Sequence, residues 1–141
     1  MTPSTLLTRA AMAVYGHRFW RPLDRAAADP GAAQWATLRA LITRHRDTSF
    51  GRAHGFASIR SPRDYATQVP VQQYADLRPY IERQRTTGEA ALTIDAPVFY
   101  AQTSGSTGTP KYIPITDVTL RQTRTEQKIF SWLQHRAVPA A

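Results

Sequence analysis

The chain contains no cysteine. That absence excludes disulfides, thiolate zinc sites and cysteine nucleophiles together, and it accords with a reducing compartment. No apolar run approaches the roughly 20 residues that cross a bilayer as a helix. The longest N-terminal run, from Leu6 to Tyr15, is interrupted by Arg9, has no positive charge before it and no small-x-small cleavage pattern after it. It reads as an amphipathic helix rather than a signal peptide, and a cytoplasmic location is expected. Acidic residues are scarce: 10 Asp and Glu face 18 Lys and Arg, for a formal net charge of +8. The basic residues are mostly arginine and are scattered from Arg9 to Arg136. Such a distribution favours solubility and general attraction to anions over a dedicated nucleic-acid surface. The four histidines show no metal-ligand spacing, and no metal site is expected.

What is present suits a folded chain. Its 141 residues, 42% hydrophobic and 20% charged, are of ordinary globular composition and suffice for one domain with a core. Leu6 to about Arg18 reads as a first helix, and Phe19-Trp20-Arg21-Pro22-Leu23 leads into a second segment. Asp29-Pro30 opens the next helix, with Asp29 as N-cap and Pro30 at the first helical position. Trp35, Leu38, Ile42 and His45 follow at helical spacing, so this helix should end near Asp47. Gly51 to Phe56 reads as a loop holding His54. Ser61-Pro62 begins a short helix through about Gln68. Tyr74–Leu77 and Pro79 to about Thr86 read as two consecutive helical pieces, because proline interrupts a helix interior. Gly88 should close the second.

The periodicity then changes. Pro97 to Ala101 is short, aromatic and branched, and reads as a buried strand. Lys111 to Ile115 reads as a second strand, irregular or at an edge because Pro114 has no N–H for a ladder. Thr116-Asp117 starts a long helix toward His135. Between the strands lies Thr103-Ser104-Gly105-Ser106-Thr107-Gly108-Thr109-Pro110-Lys111. Small, hydroxylated and flexible residues crowd here and end on a lysine. Successive N–H groups in such a loop can converge on an anion, hydroxyls add rotatable donors, and Lys111 adds a compact positive charge. The chemistry suits a polyphosphate. The simpler alternative is a glycine–serine hairpin turn. A Walker A loop requires Gly-Lys-Ser/Thr, which is absent, and a dinucleotide fingerprint requires a third glycine and a following helix.

Strand, Thr-Ser-Gly-Ser-Thr-Gly-Thr-Pro-Lys, strand resembles the phosphate-binding signature of the adenylate-forming superfamily. A narrower resemblance runs along most of the chain. Asp47-Thr48-Ser49-Phe50-Gly51-Arg52-Ala53-His54-Gly55-Phe56, Val69 through Arg83, Gly88-Glu89 and Lys111 through Asp117 are similar to segments of the GH3 acyl acid–amido synthetases, the family first known as auxin-responsive proteins. The resemblance implies an α/β fold: the N-terminal portion of an adenylate-forming large domain, with several helices, then a β-strand–phosphate loop–β-strand unit and a long helix.

It further implies ATP and Mg²⁺ as cofactors, and a carboxylic acid and an amino acid or amine as partners. The acid would be activated as an acyl-adenylate and then joined to the amine. By the same resemblance Thr103, Ser104, Gly105, Ser106, Thr107 and Gly108 would line the phosphates. Lys111 would neutralise them and assist catalysis, and Thr123 would approach the nucleotide. Family members are several times longer, so residues 1–141 are expected to be a partial N-terminal domain without the C-terminal domain. On that expectation, independent activity is doubtful. A nucleotide- or phosphate-binding module without turnover is the main alternative, and a basic nucleic-acid-binding domain a more distant one.

Overall fold

The computed structural model of the chain describes residues 3–103 and 110–138. Helices dominate. In chain order they are α1 (Pro3–Tyr15), a π-helical turn (Gly16–Trp20), α2 (Arg21–Ala28), α3 (Pro30–His45), α4 (Ser49–Ala53), a 3₁₀ turn (Phe56–Ser58), α5 (Pro62–Gln68) and α6 (Tyr74–Thr87). Strands β1 (Phe99–Gln102) and β2 (Tyr112–Ile115) follow, then α7 (Asp117–Ala137). The expected order of helices, strand pair and long helix is therefore present. The chain divides into two compact units, residues 1–33 with 118–141, and residues 34–117.

In the first unit, α1 does not end near Arg18. Helical backbone continues through the π-helical turn into α2, and Arg21 N–H bonds to the Gly16 carbonyl. Pro22 explains the wide turn. In a regular helix its ring would crowd the carbonyl four residues back, and one extra residue in the preceding turn relieves that crowding. The same turn brings Trp20 onto Trp132 of α7, stacked at 4.9 Å. A Cβ on Gly16 would overlap the Trp132 indole nitrogen.

In the second unit the core is Ile42, Phe50, Phe56, Ile59 and Val69. Trp35 and Leu38 of α3, with Leu77 and Tyr80 of α6, pack around it. α3 starts as the sequence predicts: the Asp29 carboxylate accepts from Ala32 N–H at 3.0 Å. It ends at His45, two residues before Asp47, because Thr48 starts a new element. The Thr48 hydroxyl donates to the His45 carbonyl at 2.7 Å and accepts from Gly51 N–H at 2.9 Å. It thereby closes one helix and caps the next. Residues 51–53, expected as part of a loop, thus belong to a helix over Ser49–Ala53, and His54 is its C-cap. Its first two amides are also satisfied: Ser49 N–H bonds to the Ala90 carbonyl at 3.2 Å and Phe50 N–H to Ala91 at 2.9 Å.

Ser61 caps α5 through Asp64 N–H at 3.1 Å, as expected. Residues 74–87 form one helix instead of two pieces, with Pro79 inside. Proline there removes one interior hydrogen bond and crowds the carbonyl of Ala75, four residues back. Burial of Ile81 and Gln84 further along the helix offsets that loss, as does Gln73 N–H donating to the Asp76 carboxylate at 2.8 Å at its start. Gly88, at φ 74°, ends α6 in the left-handed region that glycine reaches without strain.

Gln84 organises the segment that follows. It is 4% exposed. Its carbonyl accepts from Leu92 and Thr93 N–H, both at 3.0 Å. Its amide donates to the Thr93 hydroxyl at 2.7 Å and the Thr93 carbonyl at 3.1 Å. One side chain thus replaces a missing strand partner for residues 92–93.

His45 acts similarly at a smaller scale. Its Nδ1 accepts from Ile94 N–H at 3.2 Å, so the ring proton resides on Nε2. Burial lowers its pKa, Asp95 opposes that shift and Arg44 reinforces it. The folded chain therefore favours neutral His45. Its contribution to stability is complete above about pH 6.5 and declines as pH falls toward the lower folded value. We predict that the melting temperature drops between pH 7 and 5.5, and that His45→Gln flattens that limb. Glu89 and Asp64 have pKa values held low, Glu89 mainly by Arg83 and Asp64 mainly by the Arg60 backbone N–H. Their stabilisation fades only at more acidic pH, so the histidine limb is separable.

Candidate functional site

The site is built on the β1–β2 hairpin. The strands pair antiparallel, with Phe99 opposite Ile115, Tyr100 opposite Pro114, Ala101 opposite Ile113 and Gln102 opposite Tyr112. β1 starts and ends slightly later than the sequence suggests. It is also less buried than expected, with Phe99 50% exposed. α6 packs on the hairpin, on the face that carries Tyr100 and Tyr112. The Arg85 guanidinium lies over the Tyr112 ring, 4.8 Å from its centroid. Glu82 holds that guanidinium at 2.8 Å and raises its pKa further. The Tyr100 hydroxyl pKa is pushed up by burial.

Beyond the strands, Thr103 and Lys111 close the base of the loop. Thr103 N–H donates to the Lys111 carbonyl at 3.1 Å. Lys111 N–H donates to the Thr103 hydroxyl at 3.2 Å. The two ends of the hydroxyl-rich segment are thus locked together in a reciprocal pair. Antiparallel pairing alternates between bonded and non-bonded pairs. With 103–111 bonded, 102–112 and 100–114 are not. Pro114 therefore turns its nitrogen away from β1, which is how the strand admits a proline.

Tyr112 is turned the same way, and its outward N–H has a partner. It donates to the Tyr74 hydroxyl at 2.7 Å. That hydroxyl lies 3.4 Å from the Tyr112 carbonyl as well. The Lys111 ammonium stands over the Tyr74 ring, 5.5 Å from its centroid. Gln73, Tyr74, Ala75, Arg78 and Lys111 line one open groove of about 530 Å³. Two cations, Lys111 and Arg78, therefore border a concavity beside the loop base.

Of the residues predicted for the site, Thr103 and Lys111 are brought together. Ser104, Gly105, Ser106, Thr107 and Gly108 lie outside the described residues. Thr123 belongs to the unit containing residues 118–141. It is exposed, and its hydroxyl donates to the Thr119 carbonyl at 3.1 Å within α7. Tyr74 and Arg78 join the site without a local sequence signal for it. Tyr74 opens a helix that the capping pattern Gln73–Asp76 marks, but its partner is 38 residues away. Among the described residues no three His, Asp or Glu side chains gather to hold a metal. His54 Nδ1–H donates to the Phe50 carbonyl at 2.9 Å and its ring stacks on Phe50. No helix among the described residues is long and apolar enough to cross a membrane.

Comparison with known proteins matches residues 20–141 to the N-terminal domain of the GH3 family. The chain is 27% identical over 129 residues to a jasmonoyl–L-amino acid synthetase of Oryza sativa subsp. japonica, covering 89% of this chain and 28% of that protein. It is 30% identical over 108 residues to an indole-3-acetic acid-amido synthetase of Arabidopsis thaliana, covering 74% of this chain and 18% of that protein. A jasmonoyl–L-amino acid synthetase of Nicotiana attenuata is 26% identical over 113 residues. The chain spans less than a third of the length of these relatives.

Proposed function

Since the chain belongs to the GH3 family, we propose that it carries the ATP-phosphate-binding part of an acid–amido ligase. Such an enzyme joins a carboxylic acid to an amino acid or another amine at the expense of ATP. The observation that carries this reading is the Thr103–Lys111 closure, with Lys111 and a second cationic residue, Arg78, lining one groove. The relatives' names, which specify jasmonoyl and indole-3-acetic acid conjugation to amino acids, support the acid-plus-amine class.

The donor set fits a polyphosphate. Lys111 offers three N–H donors and Arg78 five. Thr103 accepts from Lys111 N–H through its oxygen, and its O–H remains able to donate toward the loop. Ser104, Gly105, Ser106, Thr107 and Gly108 would supply further amides and hydroxyls. Thr123 would approach the nucleotide. Mg²⁺ would enter bound to the phosphates, given that the described residues form no carboxylate cluster for it.

Bound ATP would supply the activation: the carboxylate oxygen would bond to the α-phosphorus as the bond to pyrophosphate breaks, and the amine would then displace AMP while losing a proton. Lys111 lowers the repulsion between the incoming carboxylate and the triphosphate, and stabilises charge on the departing pyrophosphate. The closed loop base keeps the lysine's backbone in register, so the donors are oriented before the nucleotide arrives.

Titration calorimetry of the chain with ATP tests the reading. Lys111→Ala is expected to weaken binding about tenfold, in line with one charge-assisted contact of about 1.5 kcal/mol. Equal affinity in both forms would reject it. Pyrophosphate exchange into ATP in the presence of carboxylic acids distinguishes turnover from binding alone.

A further inference from the structure

Tyr74 stands outside the loop, yet it holds the chain on which Lys111 is carried. We propose that Tyr74 is the positioning residue for Lys111, a role that builds on the phosphate-binding reading above. Three observations converge. The Tyr74 hydroxyl takes the outward N–H of Tyr112 at 2.7 Å. The same oxygen lies 3.4 Å from the Tyr112 carbonyl, so both outward-facing backbone groups of that residue meet one hydroxyl. The Lys111 ammonium lies 5.5 Å from the centroid of the Tyr74 ring.

The backbone alternation makes this arrangement specific. Lys111 turns its N–H and carbonyl inward to Thr103, and Tyr112 turns its own outward to Tyr74. The adjoining residues are thereby fixed from opposite sides. Without the tyrosine, β2 would present bare edge groups where it leaves the loop, and water would compete for them. Without the ring, the four-carbon stem of Lys111 would sample many rotamers. A cation over an aromatic face is held without being neutralised. The ammonium so held keeps its charge for an anion in the groove. A carboxylate at this position would instead form an ion pair that the anion must first break.

Tyr74 is itself fixed. It is the first residue of α6, directly after Gln73, whose N–H is bound by Asp76. The helix start therefore determines where the ring stands, and the ring determines where the lysine stands.

The test uses the full chain and two variants. Tyr74→Phe keeps the ring and removes the hydroxyl; Tyr74→Leu removes both. Amide hydrogen exchange by NMR is read at Tyr112, with Leu92 and Thr93 as internal controls bound by Gln84. The Lys111 Hε shift reports the aromatic ring beneath it. In Tyr74→Phe, exchange at Tyr112 is expected to accelerate about tenfold with the controls unchanged, consistent with loss of one hydrogen bond. The Lys111 Hε shift stays displaced by the ring. In Tyr74→Leu that shift returns to the value of a free lysine, and ATP binding weakens about threefold to tenfold, the range of one cation–π contact. In a Lys111→Ala background the substitution at Tyr74 no longer alters ATP affinity. An unchanged Tyr112 exchange rate, an unchanged ATP affinity in Tyr74→Leu, or a penalty that persists without Lys111 would overturn the proposal. If the parent chain binds no ATP, the phosphate-binding reading falls, and the Tyr112 and Lys111 signals alone decide whether Tyr74 positions this corner.

Discussion

Gly51→Ala should destabilise the chain by at least about 3 kcal/mol, the upper end of what overpacking costs. The added Cβ would fall on the His45 carbonyl oxygen, and it would lie 2.9 Å from the Arg46 carbonyl oxygen. These are backbone atoms at the end of α3, and no rotamer change can move them aside. The position is also bound: Gly51 N–H donates to the fully buried Thr48 hydroxyl. Relieving the clash would mean lifting α4 from the end of α3. Phe50, which meets Phe56 and Tyr80 edge-on at 5.9 and 5.3 Å, would be drawn out of the core with it. Urea unfolding followed by circular dichroism measures the loss. Gly31→Ala is the control. A Cβ there meets only the Asp29 carboxylate, at 3.7 Å, so that variant should match the parent or gain up to about 1 kcal/mol from helix propensity. Similar midpoints for the two variants would contradict the close-approach explanation.

Gln84→Leu ranks second. It leaves Leu92 and Thr93 N–H without their acceptor, and the Thr93 carbonyl without its donor. An orphaned buried group costs about 1–3 kcal/mol, and these three are only part-buried, so each is set at the low end and a total of about 3 kcal/mol is expected. The leucine fills a similar volume, which makes the lost hydrogen bonds, not a cavity, the cause. Gln84→Glu sharpens the reading. It keeps an acceptor for the two amides but loses the NH₂ group that donates to Thr93. Its penalty should fall between parent and leucine near neutral pH, with the two retained bonds offsetting part of the carboxylate's burial cost. Hydrogen exchange localises the effect: the amides of residues 92 and 93 should lose protection first. Retention of that protection in Gln84→Leu would show that another group supports the segment.

Local chemistry explains which parts of this fold were legible in sequence. The caps Asp29, Ser61 and Gly88 act within three or four residues, and each stands where its residue type requires. The strand pair was legible because turn-forming residues separate two branched, aromatic runs. The elements that depart from the sequence expectation depend on distant partners or on compensation. α4 is only five residues long, too short to show periodicity, and it exists because Thr48, Ala90 and Ala91 satisfy its amides. Pro79 suggested a break, yet buried residues further along α6 sustain one helix. The site divides in the same way. Thr103 and Lys111 flank a hydroxyl-rich segment between two expected strands, so the sequence marks both as candidates. Tyr74 could not be, because only the fold brings the start of α6 to the outer edge of β2.

The wide turn at residues 16–20 has a consequence for how this chain can change over generations. Removing one residue from an ordinary helix turns everything beyond it by about 100°, which carries a buried stripe off its partner. Here the turn already contains one residue more than a regular helix needs. A loss of one codon within it would yield an unbroken α-helix, whereas the same loss in α3 would twist Trp35, Leu38 and Ile42 out of phase. The cost would appear at two points: Pro22 would again crowd a carbonyl, and the register that stacks Trp20 on Trp132 would be lost. Residues 16–20 therefore form the stretch of this helix where losing one residue restores regular helical spacing, at a cost confined to the proline and the tryptophan.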